Sequence, residues 1–343
     1  MKRKTITIHD IAKELNIAAS TVSRALHNSP NISKATAEKV NAYAIKIGYR
    51  PNWIASNLRK RKTNSIGIVV PQINRNFFSS FISGVEKIAF KKNYNVIISQ
   101  SNNLLEKEKK IVYSLFSNQI DGLIVSLSMQ TNEFSHFKLF QENNIPLVFF
   151  DRIAPSLNTD RIIVDDFEAG YRATTHLINQ GYKRIAHISG PTVLEIYSSR
   201  KNGYIKALKD NNLPVKKEYI ITSHLLKEDG ENSIKQFLKL KTPPDAIFCG
   251  NDTSALGIIM YLKKIGIKIP EDIGIVGFSD EPFSGLITPT LSTLRQPAFE
   301  MGEKAAELLI ERIEKNENPS DFKTIVMPTT LIVRESSKTK KDL

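Results

Sequence analysis

Apolar positions follow two different rhythms along this chain. Up to residue 47 they recur at three- and four-residue spacing in short stretches, and from Ile66 onward compact apolar runs alternate with amphipathic segments. The first stretch puts Ile8, Ile11, Ala12 and Leu15 on one face, with Thr7 and Asp10 spaced as a capping box. A tight turn leads to a second stretch in which Val22, Ala25 and Leu26 form the apolar face. Ser20, Thr21, Ser23 and Arg24 then point outward. Small and hydroxyl-bearing side chains let a helix approach a phosphate backbone, and arginine can reach a guanine edge bidentately. The pair reads as a helix-turn-helix, with an ordinary helical hairpin as the plain alternative. A third helix is expected from Ser33, its cap, to Ile47, with Val40, Tyr43 and Ala44 facing inward and Gly48 as the stop.

Beyond Ile66 the runs IGIVVP, NVIISQ, GLIVSL, IPLVFF, RIAHIS, AIFCG and IGIVGF are strand-length and apolar on both faces, as buried parallel strands are. Helix-period segments at 78–92, 105–118 and 168–180 separate several of them. Alternation of this kind predicts doubly wound α/β structure, and the length left for it suits two similar subdomains. The expected fold is an all-α helix-turn-helix head followed by an α/β core of two doubly wound parallel-sheet subdomains. Between them, YRPNWIASNLRKRKTNS reads as a helix of two turns at most, starting at Pro51 and Asn52, and a basic linker. A helix that short is marginal alone and needs a partner to order it.

Charge separates head from core. Residues 1–62 hold 13 Lys or Arg against 3 Asp or Glu, a net +10 out of the chain's +13. A small basic head on a nearly neutral body is the footprint of a protein whose head alone meets a polyanion. With 41% hydrophobic and 24% charged residues the composition is that of a soluble globular protein. The single cysteine, Cys249, excludes an internal disulfide framework and a cysteine-based zinc finger. No apolar run approaches the roughly 20 residues that cross a bilayer, and the N-terminus lacks a signal-peptide core, so a cytoplasmic location is expected.

Ligands of open α/β sheets bind beyond the carboxyl ends of the strands. The positions just after the apolar runs hold Phe77 and Phe78, Asp151 and Arg152, Asp165 and Asp166, Arg200, Asn251 and Asp252, and Ser279 and Asp280. Aromatic faces beside Asp, Asn and Arg suit a sugar, which offers apolar C–H faces and hydroxyls. Each alone could be a cap or a solvated charge: Asp252 and Asp280 are well placed to cap helices, and Asp165-Asp166, an acid/base pair in one reading, is more often a cap with a solvated neighbour. Arg152 and Arg200 would also tolerate a phosphate or carboxylate on the ligand. No phosphate loop, dinucleotide fingerprint or His-Glu-x-x-His is present, and no histidine pair has helical metal spacing. No catalytic residue, metal or cofactor is therefore assigned.

Taken in order, TIHDIAKELNIAASTVSRAL, YRPNWIASNLRKRKT and IGIVVP resemble the LacI/GalR family of bacterial transcription regulators. FF at 77–78, DR at 151–152, RKNGY at 200–204, NDTSALG at 251–257, IPEDIGIVGFSD at 269–280, LSTLRQP at 291–297 and LIVRES at 331–336 extend the resemblance over essentially the whole chain. It implies a DNA-binding head at 1–50, a hinge helix and linker at 51–64, and a periplasmic-binding-protein-like core at 65–343. The N-lobe is expected at about 65–160 and 292–322 and the C-lobe at about 161–291 and 323–343, by analogy with two-lobed α/β folds. By the same resemblance the second helix lies in the major groove, Ala19, Ser20 and Arg24 matching base-reading positions and Thr21 and Ser23 phosphate-contacting ones, with Thr7 a further DNA-binding position. Ala55 and Leu58 belong to a hinge helix that pairs with a second subunit's in the minor groove, Leu58 wedging a base step. The effector positions fall on Phe77, Phe78, Asp151, Arg152, Arg200, Asn251, Ser279 and Gln296.

Two positions depart from the family pattern. Ser279 stands where an aspartate often binds sugar hydroxyls, and Ala18 where a capping serine is usual. The implied partners are a near-palindromic double-stranded operator, a sugar-like effector and a second copy of the chain. The expected function is a repressor whose operator affinity the effector controls. A periplasmic-type sugar-binding protein without DNA regulation is the runner-up, and a sugar-modifying enzyme with an accessory helical domain comes last.

Overall fold

The computed structural model describes residues 6–26, 29–49, 62–315 and 321–338, and the chain divides into two compact units, Met1–Thr63 and Asn64–Leu343. In the first, α1 (Ile8–Leu15), α2 (Ala19–Leu26) and α3 (Lys34–Lys46) enclose a small core of Ile11, Ala12, Val22, Ala25, Val40 and Ala44. The expected capping box forms: the Thr7 backbone N–H donates to the Asp10 carboxylate at 2.7 Å and its hydroxyl does so at 2.8 Å. Asn16 ends α1 in the left-handed region at φ 52°, which asparagine tolerates, and so turns the chain into α2. The Ser33 hydroxyl accepts the Thr36 N–H at 3.2 Å at the start of α3.

The second unit holds two six-stranded sheets. The first runs β11-β5-β4-β3-β1-β2 and the second β12-β10-β9-β8-β6-β7. Their strands are β1 (Ser65–Val70), β2 (Asn95–Gln100), β3 (Gly122–Val125), β4 (Leu147–Phe150), β5 (Asp160–Val164) and β11 (Thr324–Met327), then β6 (Ile185–Ser189), β7 (Ile220–Thr222), β8 (Ala246–Cys249), β9 (Gly274–Phe278), β10 (Ser292–Arg295) and β12 (Thr330–Ile332). The first five strands of each sheet follow one order, so the core is an internal structural repeat. All pairings are parallel except β10 with β12.

The strand pairings correct the expected lobe boundaries. Asp160–Val164 and Thr324–Met327 pair within the first sheet, whereas Ser292–Arg295 pairs with β9 in the second. The chain therefore crosses between lobes after Val164, after Arg295 and after Met327. Each crossing follows the end of a strand, because a strand completes its ladder before the backbone leaves the sheet.

Period-two alternation divides each sheet's side chains between two layers. Ile66, Ile68 and Val70 of β1 face α4 (Asn76–Lys91) and α11 (Ala298–Lys315), and Val69 faces α5 (Leu105–Ser117) and α6 (Ser135–Glu142). In the second lobe Ile188 and Ile247 face α9 (Lys227–Leu238) and α10 (Asp252–Lys264), while Ile185 and Phe248 face α7 (Asp166–Asn179) and α8 (Glu195–Asp210). β2 departs from the expectation of two buried faces. It is an edge strand whose Ile97 and Ile98 are 37% and 44% exposed.

Reciprocal glycines set the closest helix pairs. A Cβ on Gly170 of α7 would lie 2.2 Å from the Arg200 carbonyl oxygen, and one on Gly203 of α8 would lie 2.1 Å from that of Phe167. Only glycine permits that approach, and it brings Arg200 against Asp166.

Candidate functional site

The carboxyl ends of both sheets open onto a cleft of about 510 Å³. All eight residues expected at an effector site line it. Phe77 and Phe78 lie in the first turn of α4, their rings edge-to-face with centroids 5.2 Å apart. Asp151 follows β4 in the left-handed region at φ 55° and is buried. Burial pushes its carboxyl upward from the ordinary range, while the charges of Arg152 and Arg200 pull it back.

The two arginines are held differently. Arg200 Nε donates to Asp166 Oδ1 at 2.7 Å, Nη1 donates to the Gly250 carbonyl at 3.0 Å, and the guanidinium lies 3.5 Å from the Phe278 ring centroid. Asp166 is thus a buried ion-pair partner, which corrects its reading as a solvated neighbour; Asp165 is the α7 cap, accepting the Glu168 N–H at 2.8 Å. Arg152 Nη1 donates to Asn103 Oδ1 at 2.7 Å, and Nη2 donates to the Tyr197 hydroxyl across the cleft at 3.3 Å. Its Nε lies 3.8 Å from Asp151 Oδ2.

Ser279 and Gln296 form the neutral part of the floor. The Ser279 hydroxyl donates to Gln296 Oε1 at 3.3 Å, and Gln296 Nε2 reaches Asp151 Oδ1 at 3.5 Å. Ser279 sits at φ 109°, a conformation that costs about 1–3 kcal/mol for a residue with a Cβ and that clusters at ligand sites. Asn251 is the α10 cap, its Oδ1 accepting the Ser254 N–H at 2.9 Å and its Nδ2 donating to the Leu225 carbonyl at 3.0 Å.

Neither Asp252 nor Asp280 is a helix cap. Asp252 is fully buried and accepts from the Glu281 N–H at 2.8 Å, the Ser284 hydroxyl at 2.9 Å and the Thr293 hydroxyl at 2.6 Å, while Asp280 pairs with Arg334 at 2.8 Å. Asp252 therefore ties α10 to the loop after β9 and to β10.

Sequence reading missed other lining residues, among them Arg75, Asn103, Tyr197, His224 and Glu281. Asn103 and His224 follow β2 and β7, so the rule of looking past each strand end would have found them. Arg75 and Glu281 reach across the cleft: Arg75 Nη1 donates to the Thr253 hydroxyl, and Glu281 Oε2 accepts the Asn76 N–H at 3.4 Å. Only proximity in the fold reveals that contact.

On the head, Ser20 and Arg24 of α2 are exposed, Ala19, Thr21 and Ser23 half-buried, and Thr7 exposed beside α1. At the α2 start the Ala18 carbonyl accepts the Thr21 and Val22 N–H groups at 2.9 and 3.1 Å, and the Ala18 methyl side chain has no acceptor to offer. Ala18→Ser is expected to raise head stability by about 1 kcal/mol, read as a higher midpoint in thermal unfolding. Ala55 and Leu58 lie outside the described residues. Among the described residues no cluster of His, Cys, Asp or Glu could hold a metal ion, and no helix is long and apolar enough to cross a membrane.

Comparison with known proteins follows this division of the chain. The description "Bacterial regulatory proteins, lacI family" matches residues 7–52, and "Periplasmic binding proteins and sugar binding domain of LacI family" matches residues 63–333. The chain is 36% identical over 331 residues to the NTD biosynthesis operon regulator NtdR of Bacillus subtilis (strain 168), covering 96% of this chain and 99% of NtdR. It is 32% identical over 332 residues to the HTH-type transcriptional repressor CytR of Escherichia coli (strain K12), covering 97% and 96%. Among solved structures, the transcriptional regulator CelR in complex with cellobiose superposes with a TM-score of 0.73 at 25% identity, covering 96% of this chain and 99% of that one.

Proposed function

The chain belongs to the LacI family of bacterial regulatory proteins, and from that premise we propose that it represses transcription by binding an operator that a small effector controls. The observation that carries the reading is the pairing, in one chain, of a basic three-helix head with a two-lobed core whose cleft gathers aromatic and polar side chains at the strand ends. A sugar-binding protein without DNA regulation would have no use for that head. The relatives are named as regulators rather than enzymes, which supports a role in regulation.

In this reading α2 lies in the major groove, with Ala19, Ser20 and Arg24 toward base edges and Thr7, Thr21 and Ser23 toward phosphates. Ala55 and Leu58 carry the minor-groove contact. Two copies bind a near-palindromic operator, joined through the core. The exposed edge strand β2, with Ile97 and Ile98, is a surface that a second copy would cover. The effector is sugar-like, in keeping with a relative solved with cellobiose. It acts by changing the balance between two lobe arrangements that differ in operator affinity. The protein works in the cytoplasm, where its operator is.

Arg24→Ala is expected to weaken specific binding by about 1–3 kcal/mol and to relax selectivity at one base pair. A gel-shift series over single-base operator variants measures both. Affinity and selectivity equal to wild type would remove Arg24 from the reading surface.

A further inference from the structure

Resting on the effector-controlled reading above, the character of the ligand follows from how the cleft spends its charge. Two of the three guanidiniums there already face a carboxylate, and the third shares the cleft with Glu281. Arg200 is paired with Asp166, Arg152 lies 3.8 Å from Asp151, and Arg75 is close enough for its charge to act on Glu281. A phosphorylated or carboxylated effector would find no surplus positive charge and would bring its own anion against buried Asp151. The helices that start at the cleft add to this. The first turn of α5 carries Glu106 and Glu108, and that of α9 carries Glu228 and Asp229, which already occupy the favourable field of each helix start.

The same two helix starts have an unusual composition. Leu104 is the N-cap of α5 and Leu226 the N-cap of α9, equivalent positions in the two lobes. Both line the cleft, and they remain 45% and 44% exposed. Leucine is among the poorest N-cap residues. A polar residue would serve each helix better, so the apolar surface at each start comes at the expense of local stability.

We propose that the effector is an uncharged polyhydroxylated molecule bearing an apolar substituent, in class an alkyl or aryl glycoside. Its hydroxyls meet Asp151, Ser279 and Gln296, and its apolar end meets Leu104 and Leu226. A cleft of about 510 Å³ is within the range that holds such a ligand. Donors and acceptors without net charge suit hydroxyls, and the leucines give the substituent a dry surface.

The test uses the full chain and the variant Leu104→Asn/Leu226→Asn. Asparagine is a favoured N-cap, so this variant should melt no lower than wild type, and a change in binding cannot be assigned to misfolding. Phenyl β-glucoside, glucose and glucose 6-phosphate are titrated by calorimetry, and the neutral dye Nile red by fluorescence. Saturable dye binding at least tenfold weaker in the variant supports the proposal, as does an affinity order of phenyl glucoside, then glucose, then the phosphate. Dye binding equal in the two proteins overturns it and leaves the leucines as surfaces that meet on lobe closure. Tighter binding of glucose 6-phosphate than of either neutral compound also overturns it. Operator binding of the same samples is measured in parallel. Its loss in wild type would fail the repressor reading without deciding the chemistry of the cleft.

Discussion

Arg200→Leu is expected to cost the core about 3–5 kcal/mol, because it leaves the Asp166 carboxylate buried without its cation. The pair is 2.7 Å apart with both side chains under a tenth exposed, so water cannot take the place of the guanidinium. The same substitution releases the Gly250 carbonyl, which accepts from Arg200 Nη1, and removes the cation stacked on Phe278. Both neighbours line the cleft, so effector binding should fall with stability. Urea unfolding followed by circular dichroism reads the first effect. The double variant Asp166→Leu/Arg200→Leu should recover part of the loss, since replacing both ions with apolar side chains removes the stranded charge. A single variant within about 1 kcal/mol of wild type would mean the pair is better solvated than its burial implies.

Asp252→Ala is the second large effect. Three donors, the Glu281 N–H and the Ser284 and Thr293 hydroxyls, lose their acceptor at once. At about 1–3 kcal/mol for each buried unsatisfied donor, a loss of roughly 3–5 kcal/mol is expected after relaxation. The variant should also alter pH dependence. Burial pushes the Asp252 carboxyl from 3.8 up to about 6, against the pull of its three donors. The folded core therefore binds this proton more tightly than the unfolded chain, and this residue's contribution to stability rises as pH falls from about 6 to about 4. His187 acts in the opposite sense over a similar window, its imidazole held down to about 4 chiefly by burial. The wild-type and variant curves must thus be subtracted. Their difference should widen by up to about 3 kcal/mol toward low pH. Parallel curves would show that Asp252 keeps its ordinary affinity for protons.

Periodicity made most of the architecture legible. The helix expected at 105–118 is Leu105–Ser117, that at 168–180 is Asp166–Asn179, and each of the seven apolar runs contains a strand. Alternating sheets and helices impose different repeats on the same residue types, which is why these elements stand out without knowledge of the fold. Lobe membership was less legible. Asp160–Val164 and Ser292–Arg295 look like any other strands, and only pairing with neighbours distant in sequence assigns them to one sheet or the other. The exposure of Ile97 and Ile98 escaped for the same reason, since only the order of strands places β2 at the edge of its sheet.

The cleft was legible as a set of strand ends but not as chemistry. Arg152 and Arg200 read equally well as anion binders until the fold showed Asp151 and Asp166 beside them. Asp166 itself passed for a solvated carboxylate because its partner lies 34 residues away on another helix. The Asp166–Arg200 pairing depends on the close approach of α7 and α8 through Gly170 and Gly203, which composition and spacing do not encode.

Effector-controlled operator binding is measured by titrating the purified protein against the DNA upstream of its own gene, at two salt concentrations and with and without a panel of neutral sugars and glycosides. Tight, sequence-selective binding is expected, weakening with salt as phosphate contacts require and changed by one of the neutral compounds. Binding of such a compound by a protein that shows no preference for this DNA over random duplex would contradict it.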